Sequence, residues 1–159
     1  MPVVAVVNRK GGSGKSTLAT QLAGYCANAG LRVMLGDVDR QQSSRTWLAL
    51  RAANLARIAT WEARQGEIVR PPKGTTHVVL DTPAGLHGKR LDAVLRIATK
   101  LLIPLQPSLF DIQATHAFLG ALRAHPRAGE IALGLVAMRV REHTISNDQL
   151  HQYLATLNV

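Results

Sequence analysis

A doubly wound α/β fold, with a mostly parallel sheet and helices on both faces, is predicted by three features of this sequence. Aliphatic runs of strand length alternate with segments of helical period almost without a break. These runs are apolar at consecutive positions, which marks strands buried on both faces. Lys10, Asp39 and Asp81 fall at or just past the ends of such runs, where open α/β sheets bind ligands.

The elements follow in order. The run Val3–Val7 is the first expected strand, and a helix over Leu18–Ala29 follows it, with Leu18, Leu22, Cys26 and Ala29 on one stripe. Further strands are expected at Val33–Asp37 and Ile58–Trp61. The segment Arg64–Thr76 contains Pro71-Pro72, which cannot donate to a ladder, and reads as a loop. A strand at Val78–Asp81 leads to a helix whose stripe is Leu91, Val94, Leu95 and Ala98. After a strand at Lys100–Pro104, Ser108 opens a helix with Asp111 three residues on and Phe110, Ala114, Ala117, Phe118 and Ala121 along one face. A last strand is expected at Leu133–Met138. Ser146 and Gln149 form a capping-box pair ahead of Leu150, Tyr153, Leu154 and Leu157.

Composition limits the function classes. The 159 residues suit one domain, 1–159, with a single core, and 47% apolar content argues against disorder. No apolar run reaches the roughly 18–20 residues that cross a bilayer, and the N-terminus is a strand without a basic leader, so a cytoplasmic protein is expected. Cys26 is the only cysteine, which excludes an intrachain disulfide or an all-cysteine cluster site and reads as a small buried residue. The six histidines show no metal-like spacing. Trp47 and Trp61 are expected in the core or an interface. Nineteen Lys and Arg against ten Asp and Glu give +9, a surplus that attracts polyanions, nucleic acid foremost.

The stretch Lys10-Gly11-Gly12-Ser13-Gly14-Lys15-Ser16-Thr17 carries the chemistry. A strand, a glycine-rich turn and a helix in that order form the context of a phosphate-binding loop. Glycines let successive backbone N–H groups converge on phosphate oxygens, and the helix adds its positive end. Lys15 supplies charge to the β- and γ-phosphates, and Ser16 offers a hydroxyl to Mg²⁺. The pattern is K-G-G-x-G-K-[ST]: Arg9 stands where the common loop has glycine, and Lys10 is an additional lysine.

With these residues the chain resembles the ParA/MinD family of deviant Walker P-loop ATPases, and specifically its small ParA-type partition members. Arg32–Gln42, containing Asp37-Val38-Asp39-Arg40-Gln41, is similar to the family's D-x-D-P-Q motif, with Arg40 in place of the proline. Val78–Gly85, ending in Asp81-Thr82-Pro83-Ala84-Gly85, resembles its Walker B and switch segment, and Leu102–Ser108 its strand end and proline turn. The matches run from Pro2 to about Phe118. Members usually continue into another strand and helix beyond the point where this chain ends, a region from which the adenine pocket partly draws.

The resemblance implies roles. Lys10, Lys15 and Asp39 are the implied catalytic residues, Lys10 through Thr17 the nucleotide site, and Ser16, Asp39 and Asp81 the metal set, with ATP/ADP and Mg²⁺ as cofactors. Lys10 would act in trans on the nucleotide of a partner protomer in an ATP-sandwiched homodimer. Asp37 would be structural support near the metal; the alternative for the Asp37/Asp39 pair is a polar strand end capping a helix. Arg123, Arg127, Arg139 and Arg141 lie where relatives contact DNA and are the candidates for a nonspecific phosphate patch, with solvated surface as the alternative. Arg45, Arg51 and Arg57 read as a solvated face. The implied activity is slow ATP hydrolysis, stimulated by a ParB-type partner, that partitions or positions a plasmid, chromosome region or protein cargo on the nucleoid. Two alternatives are a MinD-like membrane-associated ATPase and a non-hydrolysing nucleotide-gated scaffold. The last expected helix has little membrane-binding character.

Overall fold

The structure is a computed structural model and describes residues 1–61, 71 and 73–157. Six strands form one sheet: β1 (Val3–Val6), β2 (Val33–Asp37), β3 (Ile58–Trp61), β4 (His77–Asp81), β5 (Lys100–Leu105) and β6 (Ala132–Ala137). Their order is β3-β2-β4-β1-β5-β6, and every pairing is parallel. Five helices connect them: α1 (Lys15–Asn28), α2 (Ser43–Ala49), α3 (Gly88–Ile97), α4 (Leu109–Arg123) and α5 (Ile145–Ala155). Most of the expected loop at 64–76 lies outside the described residues.

Each central strand feeds two cores because successive side chains point to opposite faces. Val6, Val33, Leu35 and Val79 meet α1 through Ala19, Ala23 and Ala27. Ala5, Val7, Met34, Val78 and Leu80 meet the other face, where Leu91, Val94 and Leu95 of α3 and Phe118, Leu119 and Leu122 of α4 close the core. Burying each of these larger side chains contributes roughly 1.5–3 kcal/mol. Gly36 shows how tightly β2 is covered: a Cβ there would lie 2.6 Å from Trp61 Cε3.

The helix faces differ from expectation in three places. On α1 the buried stripe is Ala19, Thr20, Ala23 and Ala27, while Leu18, Leu22 and Cys26 flank it half-buried and Ala29 is exposed. The small residues let the helix axis approach the sheet, and the larger ones pack along its sides. On α4, Phe110 is 74% exposed, and the inward face is Asp111, Thr115, Phe118, Leu119 and Leu122. On α5, Thr144 is the cap and accepts from Asn147 N at 3.3 Å, so the helix begins ahead of the predicted Ser146–Gln149 box.

The connectivity places the site. From β1 the chain moves through α1 to β2 on one side, and from β4 through α3 to β5 on the other. With right-handed crossovers, α1 and α3 cover opposite faces. The loops after β1 and β4 therefore diverge, opening a crevice above the carboxyl ends of adjacent strands.

Candidate functional site

The glycine-rich loop fills that crevice and is anchored from several directions. Asn8, fully buried at the end of β1, donates its Nδ2 to Pro104 O at 2.7 Å and accepts Lys10 N on Oδ1 at 2.9 Å. Gln106, just past β5, donates Nε2 to Gly12 O at 2.7 Å. Gly85 N donates to Arg9 O at 2.8 Å, tying the turn after β4 to the same loop. Gly14 has φ +97°, a left-handed conformation that side chains resist. A Cβ there would also lie 2.9 Å from Met138 Cε, so the end of β6 packs directly on the loop.

Lys15 opens α1, whose first turn holds no acidic residue to offset the helix's positive end. Its side chain folds back into the loop, and Nζ donates to Lys10 O at 3.0 Å. Burial lowers the pKa of this ammonium, while Asp81 and then Asp39 pull it back up. The arrangement is a desolvated cation at the base of a ring of amides, the requirement for holding an anion.

The carboxylates across the crevice divide their labour. Asp37 accepts Asp39 N at 3.0 Å, Ser44 N at 2.9 Å and Arg45 N at 3.2 Å. It thus caps α2, the structural one of the two readings its position allowed. Burial pushes its carboxyl up, and the three N–H donors oppose that shift. Asp39 is half-buried and accepts Gln41 N on Oδ1 at 3.0 Å. Asp81 is fully buried: Oδ2 accepts Ser44 Oγ at 2.6 Å, and Oδ1 has no hydrogen-bond partner among the described residues. Burial raises its pKa most; Ser44 and Ser16 lower it, Asp37 raises it, and Lys15 lowers it. A buried carboxylate oxygen without a donor, beside the Ser16 hydroxyl, fits a hard divalent cation or its water shell.

Lys10 is held within its own chain. Its Nζ is paired with Asp111 in the first turn of α4, and Asp111 is buried. Ser108 occupies the N-cap position without a side-chain bond to the helix. Arg9, at the unusual loop position, lies 5.5 Å from the centroid of the Phe118 ring.

The four arginines expected to form one patch are divided. Arg123 ends α4, which returns toward the amino ends of the strands. Arg127 is tied down: it donates to Leu95 O at 2.7 Å, Arg96 O at 2.5 Å and Glu130 Oε2 at 2.8 Å. Arg139 and Arg141 follow β6 at the carboxyl end, both exposed. The span of β6, about 20 Å, separates the two pairs. Asn8, Ser44, Asp111 and Met138 are neighbours of the site that the motifs did not mark, and Gln106, within Leu102–Ser108, has no role in them. A polar residue at the end of an apolar run was the available signal for Asn8 and Gln106; the others are brought in by tertiary contacts.

The chain is similar to known proteins. A family model described as the CobQ/CobB/MinD/ParA nucleotide binding domain matches residues 4–158. The maintenance of carboxysome distribution protein A of Gloeobacter kilaueensis is 40% identical over 112 residues, 69% of this chain and 51% of that protein. The chromosome-partitioning ATPase Soj of Thermus thermophilus is 40% identical over 76 residues, 48% of this chain and 28% of that protein. This chain thus spans about half the length, or less, of these curated relatives. The solved structures that share the fold include these two. One is a plasmid partition protein of Borrelia burgdorferi, with TM-score 0.77, 15% identity, and coverage of 99% of this chain and 86% of that one. The other is cobyrinic acid a,c-diamide synthase of Mycobacterium smegmatis with ADP and magnesium, with TM-score 0.77, 19% identity, and coverage of 100% and 83%. Because the family match begins inside β1 and runs beyond α5, taking in loop, crevice and both cores, the chain belongs to the CobQ/CobB/MinD/ParA family of nucleotide-binding domains.

Proposed function

We propose that this chain is the ATP-binding and ATP-hydrolysing unit of a ParA-type partition or positioning system. The observation that carries the reading is that a desolvated Lys15 and Asp81 Oδ1, which has no donor among the described residues, share one crevice. Lys15 and the amides of Gly11 through Thr17 hold the β- and γ-phosphates. Ser16 and Asp81 would hold Mg²⁺, which would neutralise phosphate charge when bound. Asp39, which accepts Gln41 N on Oδ1, would orient the attacking water and stand with the metal ligands. Thr82 through Gly85 respond to the γ-phosphate, and Gly85 already touches the loop. The relatives named for chromosome partitioning, for ParA and for carboxysome distribution support a positioning role.

In this reading Lys10 exchanges Asp111 for the nucleotide of a second protomer. Lys10→Ala is expected to leave ATP affinity within about threefold while abolishing ATP-dependent dimerisation, and to lower partner-stimulated turnover by roughly 10³-fold, as for a missing arginine finger. Sedimentation velocity with and without ATP, with phosphate release alongside, decides. Dimers that persist in the variant at undiminished turnover would refute the trans role. The surplus charge, with Arg139 and Arg141 exposed at the nucleotide end, supports nonspecific DNA binding by the dimer. An Arg139→Ala/Arg141→Ala variant should bind duplex DNA more weakly and with a salt slope shallower by about two phosphates; an unchanged slope excludes these residues. A ParB-type activating partner and a cytoplasmic, nucleoid-associated setting complete the proposal.

A further inference from the structure

The turn from β2 into α2 carries Asp39, and one residue closes it from the far end. Gln42, at the N-cap of α2, has φ +51°, the left-handed region that a glutamine seldom enters. Its half-buried side chain folds back over the turn and makes no capping bond to the helix. Instead Nε2 donates to Asp39 O at 2.7 Å and to Asp37 O at 3.1 Å, while Oε1 faces Arg45 Nη1 at 3.5 Å. The Gln42 backbone N donates to Asp39 O as well, at 3.2 Å. A non-glycine residue keeps such a backbone where its surroundings over-determine it, and these positions gather at working sites. Glycine would meet the shape of the turn at no steric cost. Glycine has no amide to hold the two carbonyls, so the side chain accounts for the residue where the backbone does not.

We propose that Gln42 is a positioning residue for hydrolysis, holding the Asp37–Asp39 turn so that the Asp39 carboxylate is in place before nucleotide arrives. Asp39 is bracketed on every side of its backbone. Its N donates to Asp37 Oδ1 at 3.0 Å, its O accepts both Gln42 donors, and its Oδ1 accepts Gln41 N at 3.0 Å. The turn is in turn fixed to the sheet: Val38 N donates to Asp81 O at 3.1 Å, and Ser44 joins Asp37 to Asp81. Gln42 supplies the bonds that close this frame on the side of α2. It acts through Asp39 and has no contact with the nucleotide in this role. Placement matters at such a position, since a shift of about 1 Å can cost roughly 100-fold in rate. The role rests on the reading of Asp39 under Proposed function.

Gln42→Gly removes the amide and the backbone strain together. In the nucleotide-free variant the Asp39 and Gln41 amides are expected to exchange hydrogen roughly tenfold faster, with Tm within about 4 °C of the parent. Affinity for Mg²⁺-ATP should stay within about threefold, while single-turnover hydrolysis slows roughly 10–100-fold. Asp39→Ala/Gln42→Gly should be no slower than Asp39→Ala alone, because the amide acts only through that carboxylate. Gln42→Asn, which accepts a left-handed backbone but is one methylene shorter, replaces Gln42→Gly if the latter does not fold. Unchanged exchange at Asp39 and Gln41 would overturn the proposal, and so would a loss that adds to that of Asp39→Ala. Parent-rate hydrolysis in Gln42→Gly beside a slow Asp39→Ala removes the positioning role alone. Parent-rate hydrolysis in Asp39→Ala removes the reading of Asp39, and the role of Gln42 with it.

Discussion

Lys15→Ala is expected to lose ATP binding while keeping its fold. An ammonium about 4 Å from a phosphate charge contributes roughly 4 kcal/mol at the effective dielectric of such sites, so affinity should fall by about three orders of magnitude. Folding should change by no more than about 1 kcal/mol, because the buried amine donates to Lys10 O and is desolvated for it. The pH dependence separates the two effects. A lysine whose folded pKa lies below its unfolded value releases its proton first in the folded state. Stability of the nucleotide-free protein should then rise as pH climbs from the folded value toward that of an ordinary lysine. Nucleotide affinity should fall over the same window as the cation is lost. Lys15→Ala removes both slopes. Isothermal titration with ATP and urea melts across that range check it; a variant that retains ATP affinity would remove Lys15 from the phosphate site.

The strands were legible in the sequence because a parallel sheet buried on both faces imposes continuous aliphatic runs. All six expected runs are strands, with bounds that shift by a residue at β1, β4, β5 and β6. Helix orientation was less legible. In α1 the Leu18–Leu22–Cys26 and Ala19–Ala23–Ala27 stripes are adjacent, and only the close approach to the sheet decides between them. The helix α2 lacks an apolar signature, since its one buried residue, Ser44, is held by hydrogen bonds to Asp37 and Asp81. Within the site, the glycine-rich loop and the strand-end positions of Asp39 and Asp81 were legible from pattern, while the roles assigned to the carboxylates came from the family resemblance. The Lys10–Asp111 pair spans 101 positions, and no local pattern specifies it. Asp111 reads as an acidic residue in a first helical turn, and that reading omits the lysine it holds. Arg127 is the reverse case: a basic residue in a plausible region whose donors are spent on backbone carbonyls.

Asp81→Asn is expected to stabilise the domain and disable it together. In the folded state the carboxyl is fully buried, with its pKa raised chiefly by burial and Oδ1 lacking a donor among the described residues. A carboxyl whose folded pKa exceeds its unfolded value binds its proton more tightly when folded. Stability therefore declines as pH rises from the ordinary carboxylate range through the folded value, and the loss is complete above it. Asparagine resembles the protonated carboxyl in shape and charge and still accepts from Ser44. The variant should lose that decline and gain about 1 kcal/mol near neutral pH, roughly 2–4 °C in Tm, measured with EDTA and no nucleotide. Mg²⁺ and ATP together should raise the Tm of the parent protein by mass action and leave the variant unmoved. Turnover should fall about 100-fold or more, since metal-held charge contributes several kcal/mol to the transition state. Opposite signs distinguish a functional carboxylate from a structural one: a residue present only to hold Ser44 would lower the Tm when neutralised and leave the Mg²⁺ dependence intact. That pair of outcomes would transfer the metal to Asp39 and Ser16 alone.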